Sequence, residues 1–416
     1  MPARHPYRKL ALTSLAALAV ATTAACGGEG FSSNGTQASA SGPVKLNVLI
    51  ASSGDAETKA VTDAAAAWAK TSSNTVTVTP AQDIKQQLGQ GLAAGTPPDV
   101  FYVDASRFAD YASVGALEPY ADKISNPGDF YESLRTTFTY NGKFYCAPKD
   151  FSTLALEINT DLWTKAGLTD ADVPTTWDQL TATAQKLKTA GVTPLTIGDT
   201  RDRVGAFMKG AGGWITSADG KQATADSPEN LQALQYVKSL LTDKLAQYPK
   251  QLDAGWAGEA FGKGKAAMTI EGNWIKGALQ TDFPNVKYTV HPLPAGPKAQ
   301  ATLSFTNCWG IAAKSKYKDQ AVKFVEAMTT VEQQMSFAKA FGVMPSRQSA
   351  KAQYTSAFPA DKPFIDGAAY AQGPVNAPKM DSVLADLDTG IQGLATGDPK
   401  ALLVRVQKNT EAALKG

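Results

Sequence analysis

The stretch VKLNVLI, residues 44–50, is the first run in the chain with the makeup of a buried strand. Residues 57–70 follow it, with Val61, Ala64, Ala65 and Trp68 recurring at helical spacing. A buried strand that feeds an amphipathic helix is the start of a strand–helix–strand unit. The cadence then repeats: TVTVT at 75–79 alternates as a strand does, 83–94 reads as a helix, and DVFYV at 99–103 is another short apolar strand. Strands alternating with helices predict an α/β body with largely parallel sheets.

Further on come LALEIN at 154–159, a helix after PTTWDQL at 174–180, PLTIGD from 194, AAMTIEG at 266–272 and KYTVHPLP at 287–294. A long helix is predicted over 318–341, where Ala321, Phe324, Val325 and Met328 form an apolar stripe suited to a core. The chain has 416 residues, and the part beyond residue 44 is longer than one core usually fills, so two lobes are expected.

The first residues have a different character. Arg4, Arg8 and Lys9 precede the apolar run LALTSLAALAV at 10–20, and small residues lead to Ala25. That is the layout of a secretory signal, since a spanning helix needs about 20 apolar residues. The sequence TAAC at 23–26 resembles the bacterial lipobox, in which small side chains admit the peptidase and the thiol of Cys26 takes a diacylglyceryl group. Residues 1–25 are read as the signal peptide and 26–43, rich in Gly and Ser, as a flexible tether. Acyl chains anchor at about 0.8 kcal/mol per buried methylene, so the body is expected to be lipid-anchored on the outer face of the cell membrane.

Charge points to no nucleic-acid partner. The chain carries 40 Lys and Arg against 38 Asp and Glu, and Arg4, Arg8 and Lys9 belong to the leader, so the body is close to neutral. Catalytic signatures are thin. The body has one histidine, His291 in HPLP, where a loop or core role outweighs catalysis, and no G-x-S-x-G, C-x-x-C or paired-histidine metal motif. GKGKAA at 262–267 mimics a dinucleotide fingerprint but precedes the strand it should follow. No cofactor or metal is therefore expected. A pair of carboxylates for glycoside hydrolysis is set in three dimensions, so a secreted carbohydrate-active enzyme stays as the alternative reading. Beyond Cys26 only Cys146 and Cys308 remain, and the residues alone leave a disulfide and two buried thiols equally open.

Several loops combine aromatic, acidic and amide residues: GTPPDVFYVDASRF at 95–108, YNGKFYCAPKDF at 140–151, GGW at 212–214, GWAGEAF at 255–261, EGNW at 271–274 and TNCWG at 306–310. Aromatic faces beside hydrogen-bonding groups suit a sugar, whose ring presents C–H faces and hydroxyl edges. Four stretches then carry a resemblance. They are PPDVFYVDASRFADYASVGALEPY, NGKFYCAP running into LEINTDLWTKAGL and PTTWDQL, GKAAMTIEGNW, and GIAAKSKYKDQAVKFVEAMTT followed by FGVMPSR. In order and spacing they resemble family 1 of the extracellular solute-binding proteins, carbohydrate-capturing lipoproteins of bacterial ABC importers.

The resemblance implies two α/β lobes of the type II periplasmic-binding fold, joined by strands that cross twice at LALEIN and FTNCWGIAA. Lobe 1 would take 44–152 and 308–343, lobe 2 153–307 and 344–416, with ligand in the cleft between them. It also implies a monomer that performs no chemistry, binds a sugar, in class an oligosaccharide, and hands it to permease subunits. Carried over by position, Asp55, Asp104, Arg107 and Asp150 would meet ligand from lobe 1. Trp274 would stack on it, with Glu271 and Asn273 close by, while Trp214, Trp256 and Trp309 are further aromatic candidates. Where maltodextrin-binding members have an aromatic ligand residue, this chain reads NAPKMDSVLADL at 376–387, which argues against maltodextrin itself. Cys146 precedes the first crossing and Cys308 lies in the second; these neighbour one another in the family's hinge, so the resemblance implies that they pair.

Overall fold

The computed structural model describes residues 42–415. The leader, Cys26 and most of the tether lie outside the described residues.

Lys45–Ile50 pairs in parallel with Thr75–Pro80 on one side and with Val100–Asp104 on the other. The helix Asp55–Ser72 connects the first two and buries Val61 and Ala65. Asp83 starts the next helix, Ile84–Ala94, by accepting the Gln86 amide at 2.9 Å. Asn307–Ile311 then lies antiparallel between Val100–Asp104 and Ala147–Pro148, completing a five-stranded sheet. Its core gathers Leu46, Ile50, Phe101, Phe108, Trp309 and Phe324.

A second, seven-stranded sheet is built around Ser152–Asn159, a strand buried on both faces. Met268–Gly272, Tyr288–His291 and Thr302–Phe305 all run antiparallel to it. Leu195–Ile197, Ala246–Gln247 and Ala371–Gln372 add in parallel at the flanks. The sheets are thus mixed, not largely parallel as the cadence predicts. The reason is topological: Ser152–Asn159 leaves the first sheet, and the strands beside it run back toward that sheet.

The chain passes between the sheets three times, at 149–151, at Thr306 and after the helix Val331–Phe341. The passages are tied to each other: the Lys149 amide donates to the Asn307 carbonyl at 2.9 Å, and Phe151 and Met344 exchange backbone bonds at 3.1 and 3.2 Å. The first passage falls just ahead of LALEIN, which itself lies wholly in the second sheet. A separate apolar cluster of Tyr131, Phe151, Met335, Met344, Tyr354 and Phe364 fills the junction.

The helix predicted over 318–341 is two helices, Lys318–Met328 and Val331–Phe341. Thr330 between them is extended and caps the second by accepting the Gln333 amide at 3.1 Å, a local bond that competes with continuing the first. The stripe of Ala321, Phe324, Val325 and Met328 is buried. Cys146 is bonded to Cys308, with Cα atoms 5.6 Å apart and both residues buried. Among the described residues no helix is long and apolar enough to cross a membrane.

Candidate ligand cleft

Two charged clusters stand near the three passages, one built on elements of the first sheet and one on elements of the second. On the first side, the helix beginning at Asp55 directs Glu57 inward, where Ser53 donates to Oε2 from its amide at 2.8 Å and its hydroxyl at 2.7 Å. Lys149, buried on the first passage, donates from Nζ to Glu57 Oε1 at 2.8 Å and also to Asp150 Oδ2. The ammonium lies 4.8 Å from the ring centre of Tyr102 and 5.3 Å from that of Phe341, and the Tyr102 hydroxyl donates to Glu57 at 3.2 Å.

The two carboxylates respond differently to their shared cation. Burial alone would raise both. At Glu57 the Lys149 charge and the Ser53 bonds outweigh burial and hold the carboxyl below its usual range. Asp150 has no such bonds and feels the neighbouring Glu57 charge, so burial prevails and pushes it up to about 6.

On the second side, Trp274 follows Gly272 at the end of Met268–Gly272 and keeps 37% of its surface open. Its ring lies so close over Gly272 that a Cβ there would come within 2.2 Å of it, so this position requires glycine. Glu271 Oε2 accepts from the Trp274 indole at 2.9 Å and from Arg203 Nη2 at 2.6 Å. The Arg203 guanidinium sits 5.1 Å from the Trp274 ring centre and 5.8 Å from that of Phe305, and the two rings meet edge to face at 5.1 Å. The result is an aromatic shelf whose only charges are already paired.

Beneath the shelf lies Glu157, with no exposed surface, which accepts the Glu271 amide at 3.1 Å through Oε2 and leaves Oε1 without a partner. Burial first, and then the Glu271 charge, push its carboxyl well above the usual range. The folded chain therefore keeps a proton that the unfolded chain releases above about pH 4.5, and this contribution to stability fades as pH rises toward the folded value. Glu157→Gln preserves the shape without the titration. Its melting temperature relative to wild type is expected to improve between about pH 5 and about pH 8; an offset that does not change with pH would show that Glu157 is not held protonated.

Between the two sides lies a cavity of about 150 Å³, lined by Asp104, Ser106, Arg201, Trp214, Phe305 and Leu384 among others. A groove of about 500 Å³ adjoins it, sharing Trp214, Gln372, Gly373 and Pro374. A further cavity of about 760 Å³, lined by Arg135, Tyr140, Asp219 and Lys221 among others, shares Glu132, Thr136, Ala218, Gly220 and Asn376 with that groove and continues it.

The residues predicted from sequence divide accordingly. Asp104 and Trp214 line the cavity, Asp150 belongs to the Lys149 cluster, and Glu271 and Trp274 belong to the shelf. Asp104 lines the cavity and accepts the Ser106 amide at 2.8 Å. Arg107 is half-buried and its guanidinium pairs with Asp381, the first residue of the helix Asp381–Gln392. Asp55 is an exposed first residue of its helix.

One aromatic candidate is corrected, and two further candidates have packing or hydrogen-bond partners of their own. Trp309 has no exposed surface and packs edge to face on Tyr102 and Phe324, so it is core: its strand is central in the first sheet. Trp256 folds back over Gly258 into the cluster of Phe261, Ile275 and Leu279. Asn273 is buried and spends its Nδ2 on the Gly342 carbonyl at 2.8 Å, fastening the third passage. Sequence reasoning missed Glu57, Lys149, Arg203 and Phe305. Lys149 stood in the quoted APKDF loop beside Asp150, and that adjacent opposite charge was its available signal; Glu57, Arg203 and Phe305 had none.

Comparison with known proteins agrees with this architecture. The model of the bacterial extracellular solute-binding proteins matches residues 51–335. A putative binding protein of Brucella abortus is 28% identical over 291 residues, spanning 67% of this chain and 69% of that one. The diacetylchitobiose binding protein DasA of Streptomyces coelicolor is 27% identical over 280 residues, 64% of each chain. Among solved structures, the cyclic alpha-maltosyl-1,6-maltose binding protein from Arthrobacter globiformis superposes with a TM-score of 0.80 at 21% identity, over 90% of this chain and 100% of that one. The fold is the two-lobed type II arrangement that the sequence resemblance implies.

Proposed function

Because the chain belongs to the bacterial extracellular solute-binding protein family, we propose that it captures a carbohydrate between its lobes and delivers it to the permease of an ABC importer. One observation carries this reading most directly: the open Trp274 ring and the half-buried Phe305 ring lie beside one carboxylate, Glu271, and one guanidinium, Arg203, that are already paired with each other. Such a shelf offers a stacking surface and hydrogen bonds without a net charge, which suits a neutral polyol and gives no preference for an ion. The diacetylchitobiose and cyclic alpha-maltosyl-1,6-maltose relatives support an oligosaccharide as the class.

The remaining parts of the reading follow from the layout. Residues 44–152 and 308–343 act as lobe 1, and 153–307 with 344–416 as lobe 2. Ligand selects the closed form because only closure brings both sides onto it. The protein acts as a monomer, carries out no reaction, and is held near its permease by the lipid on Cys26 and the tether that follows.

A thermal-shift screen over mono- and oligosaccharides tests the core of this, since a ligand bound only by the folded state raises the melting point. At least one neutral saccharide is expected to do so and to be recovered intact; cleaved product would make the protein an enzyme. With that sugar, Trp274→Ala is expected to weaken binding by about 1–3 kcal/mol, read by calorimetry. Unchanged affinity in a folded variant would return Trp274 to a packing role.

A further inference from the structure

The end of the first sheet at which the tether joins the body collects lysines from three separate stretches of chain. Lys45 opens the strand Lys45–Ile50, and its partner in the ladder is Thr75, which follows the last turn of the helix Asp55–Ser72 with its Lys70. The Thr75 amide donates to the Val44 carbonyl at 2.8 Å. Next along the sheet, Asp99 accepts the Asn47 amide at 3.0 Å and the Ser315 hydroxyl at 2.7 Å, so Lys314 and Lys316, on either side of Ser315, stand at the same end. The Ala313 amide donates to the Ala116 carbonyl at 2.9 Å and brings the turn at Val114 alongside them. Lys45, Lys70, Lys314 and Lys316 are exposed, and none has an ion-pair partner among the described residues. Two acids at this end are occupied, Asp99 by the bonds just given and Glu118 by Lys123 and Lys318. Val114 is 76% exposed, the most open large apolar side chain among the described residues.

We propose that Lys45, Lys70, Lys314 and Lys316, with Val114, form a docking surface for the anionic headgroups of the membrane that holds the chain. The inference rests on the lipid-anchor reading of Cys26 and adds to it which face of the body meets the membrane. Attraction between surface lysines and an anionic headgroup layer fades within about a Debye length, so it acts only on a patch that is kept close. The tether keeps this one close, because residues 26–43 join the body at Val44, beside Lys45. An open valine among lysines suits the headgroup boundary, where apolar carbon enters the layer and the ammoniums stay at the phosphates. The orientation follows from one strand. Val100–Asp104 starts beside Asp99 at the lysine end and finishes at Asp104, which lines the cavity, so a body resting on its lysines holds the cleft on the far side, open to arriving solute. Delivery then requires the surface to let go, which a few salt-screened charges permit.

The test uses the chain from residue 26, which keeps every described residue, with Cys26→Ser so that no acyl chain contributes. Its sedimentation is measured with vesicles of phosphatidylcholine alone and of phosphatidylcholine mixed with phosphatidylglycerol. Binding is expected to the mixed vesicles only, and to disappear at high salt. Lys314→Gln with Lys316→Gln is expected to weaken it by about tenfold or more, and Val114→Asp to weaken it as well. Lys250→Gln with Lys408→Gln removes two exposed charges elsewhere and is expected to leave binding unchanged. All five side chains are exposed, so the fold is kept in each variant. No binding to the mixed vesicles, equal binding to both kinds, or equal losses in the two double variants would overturn the docking surface. The anchor reading is decided separately, by mass spectrometry of the N-terminal peptide from native membranes. An unmodified Cys26 would end that reading, while the vesicle measurement still decides whether the surface docks.

Discussion

Replacing Lys149 by methionine is expected to lower folding stability by about 3–5 kcal/mol, the range for breaking a buried ion pair by removing one partner. The methionine fills much of the same volume between Tyr102 and Phe341, so packing is roughly kept and the loss is electrostatic. Glu57 and Asp150 are both buried, and without the ammonium each must either ionise unpaired or take up a proton.

This makes the effect depend on pH with a sign that can be stated. In wild type Glu57 is held below its usual range, so its contribution is present above about pH 4.5 and lost as pH falls through its folded value. Asp150 is pushed up to about 6, so its contribution is greatest below its unfolded value of 3.8 and is lost as pH rises through about 6. Without the cation both carboxyls move upward. The cost of Lys149→Met is therefore expected to be smaller at about pH 5 than at about pH 8, because protonation of the two acids relieves it. Urea unfolding at the two pH values measures this, and the triple variant Lys149→Met, Glu57→Gln, Asp150→Asn is expected to recover much of the loss. A pH-independent cost, or no recovery in the triple variant, would mean that packing rather than charge holds this wall.

The same wall shows what was legible in the sequence and what was not. Strand and helix cadence located the first sheet because each element there is local: Lys45–Ile50, its helix and Thr75–Pro80 follow one another along the chain. The antiparallel strands of the second sheet were not legible as such, since their direction depends on passages far apart in sequence. Short polar loops announced Asp104, Asp150 and Trp274, but a tryptophan in a loop motif and one in a central strand look the same in one dimension. Trp309 was misplaced for that reason, and its burial is decided by the neighbours Tyr102 and Phe324. Arg203 and Phe305 lie 71 and 31 residues from Trp274 by numbering alone; only folding brings the helix Arg201–Gly210 and the ends of two strands together as one shelf. The Arg107–Asp381 pair, 274 residues apart, is legible only once both lobes are folded.

Reducing the Cys146–Cys308 bond is expected to destabilise the protein by about 2–5 kcal/mol while leaving its atoms otherwise in place. The two cysteines are 162 residues apart, and the loop they close contains six of the seven strands of the second sheet. Cross-linking so long a loop removes much of the unfolded chain's freedom; on the loop-entropy model the full effect is about 5 kcal/mol, and measured bridges usually give less. The bond joins residues that flank two passages: Cys146 comes just before Ala147–Pro148, and Cys308 sits in Asn307–Ile311, the strand paired with it. The bond thus holds the two ends of this long excursion together even in the unfolded chain. Urea unfolding with and without dithiothreitol measures the effect on one sequence, which avoids the cavity that an alanine variant would add. A non-reduced digest is expected to yield the linked peptide pair, and free alkylation of both cysteines would remove the premise. If the bond is present but reduction leaves the midpoint unchanged, the reduced unfolded chain must already be restricted by residual structure. The entropic account would then fail for this protein.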